Sequence, residues 1–175
     1  PVSVAISSED GEIRIHGVND TPQEWRGQIR FGLFNLAGGM PLDKTENAVL
    51  APNASTLLAS FPASKWSSLG LRKHGAFALL LDGGRIHAWR RLFLERFKDL
   101  EISSRPAVSV SLKDGDAVFE SDSYVWGVCV DIDGEAHVSD NCFDLLPGVP
   151  YRIPWSSALG NPAVLKLGSR DALQG

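Results

Sequence analysis

Four Asp-Gly pairs punctuate the chain, at Asp10-Gly11, Asp82-Gly83, Asp114-Gly115 and Asp133-Gly134, and each lies between runs that read as strands. Asp and Gly both tolerate the positive φ of a tight type I′ turn, so each pair is a hairpin signal. The flanking residues alternate with period two, apolar then polar, as strands with one buried and one wet face require. Ile13 and Ile15 alternate with Glu12, Arg14 and His16. The same holds for Ile29, Phe31 and Leu33, for Val108, Val110 and Leu112, for Val149, Tyr151, Ile153 and Trp155, and for Ala163, Leu165 and Leu167. Helix signals are weak. Residues 88–98 follow a hairpin turn without an N-capping residue and read as a long strand, while 62–72 holds room for one short helical turn. Short strands with frequent turns predict an all-β sandwich architecture.

The polar segment Ser103-Ser104-Arg105-Pro106 separates two such sets of strands. Pro106 biases Arg105 toward extended backbone, which makes a short, stiff link. The expected organisation is a sandwich over 1–98, a linker over 99–106 and a smaller sandwich over 107–175.

Composition narrows the function classes. The chain has 175 residues, 43% hydrophobic and 22% charged, with a net charge of −4. Basic residues form no stripe suited to nucleic acid or to a polybasic membrane face, and no apolar run reaches the ~18 residues of a membrane span. Neither nucleic acid nor membrane is therefore expected as a partner. The chain starts at Pro1-Val2 without an initiator Met or a signal pattern, so it reads as a piece of a longer protein whose compartment it does not reveal.

Candidate chemistry is sparse. His16, His74, His87 and His137 form no short-range ligand pair, and Cys129 and Cys142 are too few for a zinc motif. No metal or other cofactor is expected. If Asp133-Gly134 makes a two-residue turn, Cys129 faces Val138, which favours two free thiols over one disulfide. Gly38-Gly39 and Gly83-Gly84 precede no helix start and make no phosphate cradle. No Gly-x-Ser-x-Gly elbow is present. Glu46, Glu95, Glu101, Glu120 and Glu135 could supply paired carboxylates, but nothing pairs them; they read as a solvated sheet face. Asn19-Asp20-Thr21 and Asn53-Ala54-Ser55 match the glycosylation pattern and read as loop residues. Among five tryptophans, Trp126 and Trp155 fall on strand patterns; Trp25 and Trp66 fall in loops and are the candidates for stacking on a sugar.

The stretch Ser139-Asp140-Asn141-Cys142-Phe143-Asp144-Leu145-Leu146-Pro147-Gly148 is the densest motif. Ser139, Asp140 and Asn141 favour bonds to nearby backbone. Pro147-Gly148 suits the centre of a type II turn. Phe143 and Leu146 are expected anchors, and Asp140, Asn141 and Asp144 are expected to bond within their own turn. Together these residues predict a crossing between two sheets.

Within "HVSDNCFDLLPGVPYRI" (137–153), this motif resembles a signature near the C-terminus of β-mannosidases of glycoside hydrolase family 2. "IRIHGVNDTPQEWRGQIRFGLFNLAGG" (13–39) and "AVSVSLKDGDAVFESDSYVWGVCVDIDG" (107–134) resemble other parts of the same C-terminal region. Cys142 stands where that signature has an aromatic residue, and 62–76 matches nothing in it. The resemblance implies two immunoglobulin-like β-sandwich domains in tandem, placed after a catalytic (β/α)₈ barrel. The family's catalytic glutamates lie on the barrel, and no position here matches them, so the expected set of catalytic residues is empty. The implied function is a non-catalytic accessory region of a β-mannosidase-like hydrolase, with the barrel of the parent chain as partner. The alternative is a stand-alone carbohydrate-binding or adhesive sandwich whose partner is an oligosaccharide.

Overall fold

A computed structural model describes residues 1–134 and 137–168. Its elements are almost all strands, which bears out the all-β expectation. The chain divides into two units, one of residues 1–34 and 40–97, the other of 35–39 and 98–175.

In the first unit, β1 (Val2–Glu9), β2 (Glu12–Asn19) and β5 (Ala54–Pro62) form one antiparallel sheet in the order β1-β2-β5. β3 (Trp25–Asn35), β4 (Leu42–Leu50), β6 (His74–Asp82) and β7 (Arg85–Leu92) form the other, in the order β4-β3-β6-β7. Strict alternation along β2 puts Ile13 and Ile15 inward. They meet Ile29, Phe31 and Leu33 of β3 and Ala76, Ala78 and Leu80 of β6 in one core. Burying each of the Ile, Leu or Phe side chains stabilises by about 1.5–3 kcal/mol before entropy is counted.

Two of the Asp-Gly turns behave as anticipated. Asp10 and Gly11 (φ 52° and 76°) and Asp114 and Gly115 (φ 55° and 83°) both occupy the left-handed region that a type I′ turn needs. A third is displaced by one residue. Asp82 pairs with Arg85, so the turn itself is Gly83-Gly84, the pair freest to adopt positive φ.

Between β5 and β6 a single helical turn, α1 (Ala63–Ser67), has no side-chain cap. It is held instead by tertiary contacts. The Ala63 N–H donates to the Gly11 carbonyl at 2.8 Å, and Trp66 is fully buried in the core with its indole N–H donating to the His74 carbonyl at 3.2 Å. The strand expected over 88–98 ends at Leu92. Beyond it Phe93 and Phe97 pack edge to face at 5.8 Å, and residues Phe97–Asp99 form a 3₁₀ turn.

The second unit has β8 (Ser109–Lys113), β9 (Asp116–Glu120) and β12 (Tyr151–Pro154) in the order β12-β9-β8, and a two-stranded pair of β10 (Val125–Cys129) with β11 (Cys142–Leu145). Ala117, Phe119, Val125, Val128, Phe143, Leu145 and Ile153 form its core. The strand expected over 163–167 reduces to one antiparallel bridge between Lys166 and Cys129. The apolar parity there was also misread, for Leu165 is 54% exposed while Val164 and Leu167 pack on the core. Asp133-Gly134 is not a two-residue turn between paired residues: it falls in the longer segment that joins β10 to β11, and Cys129 faces Cys142, not Val138.

Candidate functional site

The 139–148 stretch connects the two sheets of the second unit. β11 pairs with β10, and β12 pairs with β9, so the chain must change sheets between Leu145 and Tyr151. Leu146-Pro147-Gly148-Val149 makes that turn. The Val149 N–H donates to the Leu146 carbonyl at 3.1 Å, and Gly148 takes φ 65°, as the third residue of a type II turn does. The Gly148 N–H also donates to the Ser121 carbonyl at 2.8 Å.

Phe143 and Leu146 are buried. Phe143, on β11, stacks on Tyr151 of β12 at 4.4 Å and meets Phe119 of β9 edge-on at 5.1 Å, so one ring joins both sheets. The polar residues of the motif act at longer range than expected. Asp144 accepts from the buried Tyr124 hydroxyl at 2.7 Å and from the Gly127 N–H at 2.9 Å. Asn141 Oδ1 accepts from the Val130 and Asp131 N–H groups at 3.1 and 2.8 Å, and its Nδ2 donates to the Asp131 carbonyl. Asp140 accepts from the Tyr151 hydroxyl. These partners lie on or beside other strands, which corrects the expectation of bonds within their own turn. For Asp144 the physical reason is burial: a carboxylate at 8% exposure must be satisfied wherever donors are available. Ser139 is exposed and Pro147 buried.

The two tryptophan candidates part company. Trp66 offers no face to a sugar, since it sits on α1 and is fully buried in the core; the loop pattern concealed a core residue. Trp25 opens β3, is only partly buried, and its ring lies 5.8 Å from that of His87 on β7. Two other surface features exist. Arg91 lies over the Phe93 and Phe97 rings at 5.3 and 5.6 Å. In the second unit a shallow groove of about 290 Å³ is lined by Ala107, Ser109, Glu120, Ser121, Asp122 and Gly148. It has no aromatic platform and little apolar lining, unlike an ordinary ligand pocket.

Glu46, Glu101 and Glu120 are exposed, each in a different element or segment, and Glu95 is partly buried. Glu135 lies outside the described residues. Among the described residues no group of three or more His, Cys, Asp or Glu side chains could hold a metal ion. No described helix is long and apolar enough to cross a membrane.

Comparison with known proteins gives these features a family context. Residues 11–99 match the family model described as the mannosidase Ig/CBM-like domain. Among solved structures, a β-D-mannosidase from Dictyoglomus thermophilum superposes with a TM-score of 0.75 at 20% identity, covering 96% of this chain and 21% of that one. The exo-chitosanase CsxA of Amycolatopsis orientalis superposes with a TM-score of 0.59 at 18% identity, covering 95% of this chain and 25% of that one. The chain thus spans between a fifth and a quarter of these proteins. No curated protein matches the sequence. At such identities the superpositions establish the shared fold, and the matched family model, which extends from Gly11 through β2–β7 and spans half of the sequence, establishes descent: the chain belongs to the mannosidase Ig/CBM-like domain family.

Proposed function

We propose that the chain is the non-catalytic accessory region of a β-mannosidase-like glycoside hydrolase. It packs on a catalytic barrel of the same parent chain and shapes the rim of its cleft. The observation that carries this reading is the superposition of 96% of the chain on a fifth of a β-mannosidase, together with the family match over 11–99. In this reading the region is two sandwiches joined through 98–106. In support, residues 101–108 belong to no strand or helix, and most are exposed. Catalysis belongs to the barrel, and the motif 139–148 holds its unit together without touching substrate.

The test is to express the chain with and without a barrel-bearing parent segment. The chain alone should leave an aryl β-mannoside intact, and its addition to the barrel segment should raise that segment's melting temperature. Turnover by the chain alone that is lost on one Glu substitution within it would overturn the reading.

One observation favours a second reading, a sugar-binding sandwich acting by itself. Trp25 is a partly exposed indole beside a second ring, His87, and a ring face of that kind can stack on a pyranose. Titration with manno-oligosaccharides, followed by tryptophan fluorescence, separates the two. Saturable binding that Trp25→Ala abolishes supports the second; a flat titration supports the first.

A further inference from the structure

Cys129 uses both of its backbone groups on the side of β10 away from β11. Its N–H donates to the Lys166 carbonyl at 2.8 Å, and its carbonyl accepts from the Leu165 and Lys166 N–H groups at 2.9 and 3.2 Å. Cys129 and Cys142 are nonetheless direct Cα partners across the antiparallel β10–β11 pair. Opposed residues whose peptide groups point away from each other form a non-hydrogen-bonded pair, with Cα atoms about 4.5 Å apart and side chains at their closest approach. That spacing falls inside the ~4.4–6.8 Å window a disulfide requires.

The neighbourhood fixes this register. The Asn141 carboxamide grips the backbone of Val130 and Asp131 immediately beyond the pair. On the preceding side, Val128 faces Phe143, whose ring is locked between Phe119 and Tyr151. The Cys129 Sγ is 3.4 Å from the Asp131 carbonyl and 3.6 Å from Asn141 Oδ1, both acceptors for its S–H. Both cysteines are free thiols; Cys142 is exposed and Cys129 partly so, and a soluble oxidant can reach the pair through Cys142.

We propose that Cys129 and Cys142 form a reversible cross-strand disulfide, made by exchange with a small-molecule disulfide such as oxidised glutathione. The Cys142 thiolate attacks one sulfur of the oxidant and expels one glutathione thiolate, leaving a mixed disulfide on Cys142. Cys129 gives its proton to solvent and attacks the Cys142 sulfur, and the second glutathione thiolate leaves. Two electrons pass from the protein to the oxidant, whose two sulfurs leave as thiols, and the protein gains a covalent ring over residues 129–142. Partial desolvation, the facing Cys129 thiol and the Asp140 carboxylate all raise the Cys142 thiol above its ordinary range. The thiolate is the attacking species, so exchange is slow at neutral pH and quickens as pH rises.

The experiment exposes the whole chain to oxidised glutathione at neutral and at mildly alkaline pH. Free thiols are titrated, and the chain is digested without reduction for mass spectrometry. The expected result is loss of both thiols, no retained glutathione, and one crosslinked peptide pair joining Cys129 to Cys142, formed faster at the higher pH. The melting temperature of the second unit should rise by roughly 5–15 °C and fall back on reduction. Cys129→Ser, which lacks the resolving thiol, should retain glutathione on Cys142. A stable glutathione adduct on the unaltered chain, dimers linked through Cys142, or two unreacted thiols would each overturn the proposal.

Discussion

Asp144 is a buried carboxylate that accepts from the Tyr124 hydroxyl and the Gly127 amide at once. Asp144→Ala removes the acceptor from both of these bonds, and losing a buried hydrogen-bonding partner costs about 1–3 kcal/mol. In a unit of this size that should lower the melting temperature by about 5–15 °C in a thermal unfolding experiment. Tyr124→Phe should cost less than Asp144→Ala, because the Gly127 bond survives. Phe143→Ala removes the ring that touches Phe119 and Tyr151 and should cost about 3–5 kcal/mol. That approaches the whole stability of a small domain, so near-ultraviolet circular dichroism should report loss of fixed packing in the second unit at ambient temperature. If neither Asp144→Ala nor Phe143→Ala changes unfolding, the motif has no structural role.

At the scale of elements, α1 is too short to be stable by propensity, and its position rests on Trp66. Trp66→Ala should destabilise the first unit by about 3–5 kcal/mol, read from chemical denaturation. A polar ring-bearing replacement should do no better. The hairpins at Asp10-Gly11 and Asp114-Gly115 were legible because a two-residue turn is chemically local: the residues that set its φ are the residues that form it. Trp66 was not legible, because Ala63–Ser67 has no amphipathic repeat and only the strands around it reveal where its ring points. Cys129 opposite Cys142 was illegible for a related reason. Asp133-Gly134 carries the local signal of a tight turn, but the pairing of β10 with β11 is set by Asn141 and Phe143, which no turn rule weighs. The sheet crossing at 146–149 was readable, since Pro147-Gly148 encodes it directly. The reach of Asp140, Asn141 and Asp144 to other strands depends on burial, which a sequence pattern conveys poorly.

For the whole molecule, limited proteolysis should cut first within 98–106, where exposed Glu101, Ser103, Ser104 and Arg105 belong to no strand. First cuts inside β2, β3 or β6 would contradict that expectation. Asn19 stands in an Asn-x-Thr acceptor sequence, and in the folded chain it is fully buried. Its Nδ2 donates to the Gln23 and Leu50 carbonyls, at 2.8 and 3.2 Å, and its Oδ1 accepts from Thr21. Asn53, in the second such sequence, is exposed in a turn with φ 50°. Oligosaccharyl transfer in a secretory host acts on the nascent chain, before the buried amide is sheltered, and a glycan on Asn19 has no room once β2 packs. Material produced by that route should therefore split into two populations: a folded fraction carrying sugar at Asn53 alone, and an Asn19-modified fraction retained or degraded as misfolded. Thr21→Ala removes the acceptor sequence and the hydroxyl bond to Asn19 but keeps the bond from the residue 21 N–H, and it should raise the secreted yield; glycan mapped to Asn19 in folded material of the unaltered chain would contradict the packing described for that residue.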